Sequence, residues 1–397
     1  MAALALMVPS QGWALGIRAP DQDAFATARG NAFVATANNP SAIYYNPAGI
    51  TQIEGIAFRA GGYGIFLKDE YEGAGGDFET EDKYGLLPQF YSTMPIKGTP
   101  LTVGLGSYCP YGLSLDWFGR PPFRYLGSEG SVKYLTLNPE LAWKINDALS
   151  VGAGVTLNYS KASLGRTQLV YPPMPPRDYF FRFKGDDFAV GANAGILWRP
   201  HPKHSFGVSY RSPTTMDYEG DSTIMGREHP AAASFRYPQN FIAGYSFRPT
   251  PKWNLEFNLD WTDWDNLNTV TLRHSAPASP LFPAAVPMNF NWESSFMFQW
   301  GVTRDLGKGF SVSAGYIFSQ NSVPDDAFNP TVPDSDRHVF SVGVGRSWKR
   351  WSWDLAYQFG YGPTRTLNNS GPLPAPLVNG DYTFYSHAVC LAIGYTL

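Results

Sequence analysis

The sequence has few charged residues and few cysteines. Asp, Glu, Lys and Arg make up 16% of its 397 residues, against roughly 25% in soluble domains. Its two cysteines, Cys109 and Cys390, cannot form a disulfide framework. No run of about 18 apolar residues is present that could form a membrane-spanning helix. The net charge of −3 excludes the strongly basic character that nucleic-acid binding favours.

Aromatic residues and glycine are abundant, in contrast. Trp, Tyr and Phe together form 16% of the chain, which also holds 40 glycines, while the mean hydropathy is −0.23. The strands of a transmembrane β-barrel alternate apolar residues toward lipid with small or polar residues toward the lumen, so averaged hydropathy hides them. This composition therefore favours a membrane barrel.

Strict apolar–polar alternation is the main local signal, and segments 149–159, 253–261, 351–361 and 385–397 show it most clearly. A soluble β-sandwich alternates too. However, the apolar faces here end in Trp, Tyr or Phe, the residues that are enriched where strands meet a membrane interface. The pattern indicates transmembrane strands.

Short and long connections alternate between these segments. Short polar ones lie at 95–100, 144–148, 199–204, 248–252, 304–309 and 349–350. Long ones rich in Gly, Pro and Asp lie around 68–86, 111–130, 162–182, 212–236, 265–289, 320–336 and 362–382. Six short and seven long connections predict fourteen antiparallel strands. An even strand number places both termini on the short-turn side, which in outer-membrane barrels is the periplasm.

The chain is expected to have three parts. Residues 1–14 are the apolar remnant of a secretory signal. Residues 15–53 do not alternate and form a plug of short helical turns, and residues 54–397 form the barrel, with a first strand at about 55–67. A fourteen-stranded lumen is too wide for wall side chains to fill, so a folded plug has a use there.

Two Asn-Pro pairs mark the plug. Asn39 and Asn46 can each cap a helical turn, with Pro40 and Pro47 in the first helical position. Because Pro47 also ends the turn that began at Pro40, the result is a compact pair of capped turns. Three apolar residues lie between them and are ligand-binding candidates: Ile43, Tyr44 and Tyr45.

These residues resemble a known family. The stretch ARGNAFVATANNPSAIYYNPAGI (28–50) is similar to the N-terminal hatch of the FadL family of outer-membrane long-chain fatty-acid transporters, including the Asn-Pro-Ala motif at Asn46, Pro47 and Ala48. Segments 103–117, 137–155 and 207–213 are similar to family segments in the same order. The resemblance implies a fourteen-stranded barrel, a gating hatch, a long-chain fatty acid or other hydrophobic ligand, and release sideways into outer-membrane lipid through a kink in the third strand.

The third strand itself supports such a kink. It alternates regularly from Leu101 and then breaks, with glycines, a proline and a loss of alternation within seven residues. Proline cannot donate to a β-ladder, so the strand either reaches its rim here or leaves the wall. The predicted opening comprises Gly104, Gly106, Ser107, Tyr108 and Pro110, with Ser107 and Cys109 toward lipid.

Alternation also assigns charges to the lumen, namely Arg59, Arg211, Glu256, Asp260, Glu293 and Asp354. Arg211 is the preferred partner for a ligand carboxylate, and Arg59 is a second candidate. Pore residues that pair with each other would give the same pattern.

No enzymatic or metal-binding motif is present. The sequence lacks G-x-S-x-G, H-E-x-x-H and phosphate-binding glycine loops, and its six histidines show no metal spacing. No catalytic residue, metal or cofactor is therefore predicted. The expected function is passive uptake of fatty acids or similar molecules by a monomeric outer-membrane transporter. A general diffusion porin and a transporter of aromatic hydrocarbons are the alternatives.

Overall fold

The computed structural model describes residues 16–171, 175–275, 277–370 and 375–397. The predicted signal remnant, residues 1–14, lies outside them. Twenty strands form one sheet: β1 (Ala57–Gly73), β2 (Gly76–Glu79), β3 (Lys83–Pro95), β4 (Leu101–Tyr108), β5 (Gly112–Asp116), β6 (Glu129–Lys144), β7 (Leu149–Val170), β8 (Arg177–His201), β9 (His204–Arg211), β10 (Thr214–Ile224), β11 (Arg227–Tyr237), β12 (Asn240–Phe247), β13 (Trp253–Thr262), β14 (Thr269–His274), β15 (Ala285–Asn289), β16 (Ser295–Gly307), β17 (Phe310–Ser319), β18 (Arg337–Trp348), β19 (Trp351–Leu367) and β20 (Gly380–Thr396).

Fourteen of these strands form the wall of a closed antiparallel barrel, as the sequence predicts. They are β1, β3, β4, β6–β9, β12, β13 and β16–β20, and each pairs with its neighbour along the chain. The barrel closes because β1 also pairs with β20, from Ala57↔Thr396 to Glu72↔Asp381. Among the described residues, no helix has the length and apolar character that crossing a membrane requires.

The remaining six strands lie in the long connections, which the sequence pattern represented only as loops. β10 and β11 form a hairpin that pairs with β8, and β14 and β15 form another that pairs with β11. These hairpins can join the sheet because β7 and β8 run for 22 and 25 residues, about twice the length that a membrane crossing needs. The extra length of β8 gives β10 an edge with which to pair. The sheet therefore extends well beyond one rim of the barrel.

The two faces of the wall follow the predicted alternation. In β6, for example, Leu137, Leu141 and Trp143 are 42–49% exposed, whereas the intervening Asn138 and Ala142 are nearly fully buried. The exposed set faces outward and the buried set faces the lumen.

Residues 16–53, called the hatch below, pack inside the barrel. They contain helix α1 (Ala24–Ala28), helix α2 (Ala42–Tyr45) and a 3-10 turn at Pro47–Gln52. Nearly every hatch residue is buried, and the segment contacts β4, β6–β8 and β17–β20. Further 3-10 turns at Pro122–Tyr125, Trp264–Asn266, Asp325–Ala327 and Ala375–Val378 lie in the long connections.

Candidate functional site

The two Asn-Pro pairs of the hatch form capped turns. The Asn39 Oδ1 atom accepts hydrogen bonds from the backbone N–H and the hydroxyl of Ser41, at 2.8 and 2.6 Å, and Pro40 directly precedes this residue. Asn46 caps the following turn, with its Oδ1 accepting from the Ala48 N–H at 3.2 Å and Pro47 at the first position. The Asn46 cap has the geometry that the sequence predicts, whereas Asn39 and Pro40 form a turn that leads into helix α2, whose N-cap is Ser41.

The second cap also joins the hatch to the wall. The Asn46 amide donates to the carbonyl of Val34 within the hatch and to that of Ile196 in β8, at 2.8 and 3.0 Å. The wall is glycine where this turn touches it. A Cβ on Gly152 would lie 2.5 Å from the Pro47 carbonyl carbon, and one on Gly195 would lie 2.2 Å from Asn46 Oδ1. The Asn-Pro-Ala turn therefore fits only against a wall that lacks side chains at these positions.

The third wall strand, β4, leaves the ladder at its end. Its pairing with β3 stops at Phe90↔Ser107, and its pairing with β6 stops at Tyr108↔Thr136. The chain rejoins β6 at Gly112↔Lys133 as β5 but does not rejoin β3 there. Among the described residues, the next bridge to the segment that leads into β3 is Thr80↔Trp117. Between these points the edge of β3 that faces β4 has no ladder partner.

The polar groups of the departing chain bond to the hatch instead. The Gln22 side chain accepts from the Cys109 N–H at 3.1 Å and donates to the Cys109 carbonyl at 2.8 Å. The Pro110 carbonyl accepts from the Ala19 N–H, and the Gly112 N–H donates to the Ile17 carbonyl. Because an unpaired peptide group at membrane depth costs several kcal/mol, these bonds make the departure tolerable.

Cys109 is accordingly not on the lipid side, where simple alternation placed it. It is only 9% exposed and packs in a buried cluster that includes Leu87 of β3. The expectation was wrong because the chain turns inward after Tyr108, which ends the two-residue period. Cys109 and Cys390 are both buried free thiols.

The glycines of β4 make room for the hatch. A Cβ on Gly104 would lie 3.0 Å from the Ile43 Cδ1 atom, and one on Gly106 would lie 2.7 Å from Ile43 Cγ2. Ile43 is fully buried against this strand. The predicted ligand candidate Ile43 therefore contacts the predicted opening directly.

Arg211 of β9 lies between two tyrosines beside the end of β4. Its guanidinium donates to the Tyr108 hydroxyl at 2.8 Å and to the Tyr44 carbonyl at 3.2 Å. It also lies over both rings, 4.9 Å from the centroid of Tyr44 and 5.4 Å from that of Tyr108. The structure thus brings together three residues that the sequence singled out separately.

Three other arginines of the barrel interior are paired with carboxylates. Arg18 binds Asp260 through two bonds of 2.8 Å, and Arg29 lies 3.5 Å from Glu256. Arg59 pairs with Asp23 of the hatch and, at 2.8 Å, with Asp354. These pairs attach the hatch to β1, β13 and β19.

Arg211 differs from these residues, since in the described part of the chain it makes no ion pair with Asp or Glu. Arg59, the second candidate for a ligand carboxylate, already has two carboxylates. Glu293, which alternation placed in the lumen, is exposed in the segment before β16, so that expectation was wrong.

Tyr45 and Asp21 hold the hatch together internally. The Tyr45 hydroxyl accepts from the Gln22 N–H at 3.0 Å and donates to the carbonyl of Pro20 or the side chain of Asn31. Burial raises the pKa of Asp21 to about 6 even though amide groups of Asn31 and Gln358 donate to it. These polar groups are occupied within the protein, which makes Tyr45 a packing residue.

A small apolar cavity of about 90 Å³ lies among the long connections above the hatch. Two of its lining residues adjoin the end of β4, because Ile17 bonds to the turn and Leu113 follows it. The other lining residues are mostly apolar or aromatic and include Val132, Leu164, Phe183, Tyr218, Phe235, Val270, Met288, Phe290, Trp292 and Val332. The indole N–H of Trp292 is buried and has no hydrogen-bond acceptor among the residues that the structure describes.

The sequence interpretation missed Gln22 and the segment from Ile17 to Ala19. Nothing local marks these residues, since a glutamine near a chain start has no periodic or motif context. Their role follows only from their position against the end of β4.

Comparisons with known proteins agree with this architecture. The family model described as outer membrane protein transport protein (OMPP1/FadL/TodX) matches residues 5–397. A long-chain fatty acid transport protein of Escherichia coli O6:H1 is 21% identical over 392 residues, covering 87% of this chain and 86% of that protein.

Two solved structures share the fold. A FadL homologue of Pseudomonas aeruginosa superposes with a TM-score of 0.85 at 18% identity, covering 96% of this chain and 99% of that one. The toluene transporter TbuX of Ralstonia pickettii gives a TM-score of 0.73 at 14% identity, with coverage of 94% and 98%. Since the family model covers nearly all of the sequence, this chain belongs to the OMPP1/FadL/TodX family of outer-membrane transport proteins, which are channels rather than enzymes.

Proposed function

We propose that this protein takes up long-chain fatty acids or similar hydrophobic molecules by passive diffusion and releases them sideways into the outer membrane. The observation that carries the proposal is the unpaired edge of β3 beside the end of β4. The hatch is the gate, and both termini lie on the periplasmic side.

Sideways release into lipid costs such a ligand less free energy than release into water. Each methylene that leaves water contributes about 0.8 kcal/mol, so a C16 chain is worth roughly a dozen kcal/mol in lipid. Release into aqueous periplasm would forfeit that free energy. An unbroken wall would prevent exit, because lipid-facing strands must be paired throughout.

The wall beside the gap suits an apolar ligand. On β3, Tyr84 and Leu86 face outward and are 71% and 42% exposed. Pro88, between Leu86 and Phe90, has no N–H and so requires no ladder partner. On the inner side the gap meets hatch residues, since Gln89 and Tyr91 of β3 donate to the carbonyls of Asp21 and Gln22.

Arg211 is proposed to hold the ligand carboxylate on its way to the gap. It adjoins Tyr108, the last residue of β4, and among the described residues it makes no ion pair, although the buried carboxylates Glu140 and Asp260 lie near enough to interact with it electrostatically. A fatty-acid head group would supply a carboxylate in direct contact with the guanidinium, whereas an aromatic hydrocarbon would not. This difference favours a carboxylate-bearing ligand over the aromatic alternative.

Ligand entry requires movement. The cavity among the long connections measures about 90 Å³, less than the roughly 150 Å³ that accommodates benzene in an engineered protein. The long connections must therefore separate before a long-chain acid can pass. A general diffusion porin is disfavoured, because the hatch fills the lumen.

A charged substitution beside the gap tests the lateral route. Ser107→Arg places a guanidinium on the outer face at the last residue of β4 that pairs with β3, where it should block an apolar ligand while the barrel still assembles. Val103→Arg is the matched control, because Val103 faces the same way on the same strand but lies well before the gap, in the part of β4 whose pairing with β3 and β6 continues on both sides of it, with Met94 and Leu141 as its partners.

Uptake of labelled fatty acid is measured beside heat-modifiable migration, which reports barrel assembly. We expect at least a tenfold loss of uptake in Ser107→Arg only. Equal uptake by both assembled variants would exclude the lateral route.

A further inference from the structure

A groove of about 500 Å³ lies on the lipid-facing side of β12, β13, β16 and β17, away from the gap. Its size is within the range of small-molecule pockets, about 300–1,000 Å³. It consists of two rows of paired outward residues: Phe247, Leu255, Val302 and Ala314 in one row, and Tyr245, Phe257, Trp300 and Tyr316 in the next.

The groove exists because short side chains stand among long ones. Val302 and Ala314 are directly paired and are flanked by the aromatic row. The depression is lined almost wholly by apolar groups. An extended hydrocarbon chain would fill it without leaving a polar group unpaired.

A cationic group stands at the end of the groove that is nearer the short turns. Arg304 faces outward in the next row, and its guanidinium lies 5.1 Å from the ring centroid of Trp253, its ladder partner. Lys252 directly precedes Trp253 and is exposed. His204 stacks on Phe247 and bonds to the Tyr245 hydroxyl at 2.7 Å.

The short-turn rim as a whole is basic. The connections at 96–100, 145–148, 202–203, 248–252, 308–309 and 349–350 carry the acid Asp147 and the cations Lys97, Lys203, Arg248, Lys252, Lys308, Lys349 and Arg350. Glu54 and Asp305, beside these connections, are two further exposed acids, so cations still outnumber acids at this rim. This sign favours a ligand with a negative head group. It disfavours a second copy of the chain, which in a two-fold contact would place one basic rim against another.

We propose that this groove binds an anionic phospholipid, with an acyl chain along the two apolar rows and the phosphate at Arg304 and Lys252. Arginine suits the role because its planar fork bonds two phosphate oxygens at once. The Trp253 ring beneath the guanidinium keeps the fork at the membrane interface.

The test uses purified full-length protein in detergent, titrated with phosphatidylglycerol or with phosphatidylcholine of the same acyl chains, and bound lipid is counted by native mass spectrometry. Arg304→Gln removes the head-group contact and Ala314→Phe fills the groove. Arg346→Gln is the charge control, because Arg346 also lies over an aromatic ring of the rim, 4.5 Å from that of Phe310. Val389→Phe is the bulk control, since Val389 is a lipid-facing residue on β20, 51% exposed.

We expect phosphatidylglycerol to bind more tightly than phosphatidylcholine and Arg304→Gln to weaken its binding about tenfold. Ala314→Phe should weaken binding of both lipids, and the two controls should change it less than about twofold. Equal loss in Arg346→Gln, no effect of Ala314→Phe, or no preference between the lipids would overturn the proposal. Dimers that disappear in Ala314→Phe would overturn it as well, since they would make the groove a protein interface. Uptake is not measured, so the outcome leaves the proposed transport route untouched.

Discussion

Charge pairing distinguishes the residues of the lumen. Arg18, Arg29 and Arg59 are each matched by a carboxylate in the barrel interior, so their contribution is to hold the hatch in place. Arg211 donates to neutral oxygens of Tyr44 and Tyr108 instead. A positive charge that bonds directly to neutral oxygens near the proposed exit is suited to a ligand that brings its own carboxylate.

Arg211→Ala should weaken fatty-acid binding by about 1–3 kcal/mol, the range of a hydrogen bond to a charged group. The alcohol of equal chain length should bind nearly as before, because it brings no charge. Binding of both ligands is measured by fluorescence displacement in detergent. Arg211→Lys is the companion variant and should retain part of the affinity.

Losses of equal size for the acid and the alcohol would contradict this role. Arg211 would then be a packing residue that supports Tyr44 and Tyr108.

At the scale of elements, β4 is a wall strand whose end leaves the ladder. Its early glycines receive Ile43, and its last residues turn inward onto the hatch. The turn is stable because Gln22 replaces ladder partners for Cys109. Wall and hatch are consequently one hydrogen-bonded unit at this point, and movement of the hatch would release the end of the strand.

Gln22→Ala tests this coupling. It leaves the Cys109 N–H and carbonyl without partners, and each unsatisfied buried group costs about 1–3 kcal/mol. The turn should open more often, so maleimide labelling of Cys109 should accelerate about tenfold or more. Labelling is followed in Cys390→Ala protein in native membranes.

Cys390 provides the internal control, measured in Cys109→Ala protein. It is fully buried within β20, in the same interior cluster as Cys109, but the Gln22 side chain bonds to Ala19 and Cys109 and not to Cys390. Acceleration at both cysteines would indicate general loosening of the barrel, and acceleration at neither would show that Gln22 does not hold the turn.

At the scale of the whole molecule, the protein is a barrel closed by its own N-terminal segment. The hatch packs against glycines of the wall, where the backbones of hatch and wall are in direct contact. A Cβ on Gly152 would approach Pro47, and one on Gly315 would lie 2.1 Å from the Gly30 nitrogen. Because these contacts leave no spare volume, hatch and wall fit each other in a single position.

Gly152→Val should displace the Asn46–Ala48 turn, since its Cβ would lie 2.5 Å from a Pro47 backbone atom. Overpacking of this kind costs about 1–3 kcal/mol. We expect larger single-channel conductance in planar bilayers and altered uptake of hydrophobic ligand, as for deletion of Asn46, Pro47 and Ala48. Gly64→Val is the control, because the nearest atom to its Cβ would be 3.7 Å away.

Unchanged conductance and uptake in both Gly152→Val and the deletion variant would mean that the hatch does not gate the lumen. A change in Gly64→Val of the same size would attribute the effect to the barrel wall alone.

The sequence alone determined the wall, because a lipid-facing strand must alternate and must end at an aromatic belt, and both features are local. Fourteen strands, the turns at Asn39 and Asn46, the buried positions of Arg59, Glu256 and Asp260 and the half-buried position of Asp354 all follow from such patterns. The first strand was placed at 55–67 but runs over 57–73, since pairing continues beyond the membrane, where hydropathy gives no boundary.

Only the tertiary structure decided what fills the lumen and how the third strand ends. The partners involved are hundreds of residues apart, as with Arg59 and Asp354, or lie in segments without periodicity, as with Gln22 and Cys109. Alternation reports which face a side chain takes and not which residue stands opposite across a barrel. It therefore misplaced Cys109 and could not tell a paired arginine from Arg211. That distinction arises from barrel closure, which brings the hatch against strands from both ends of the chain.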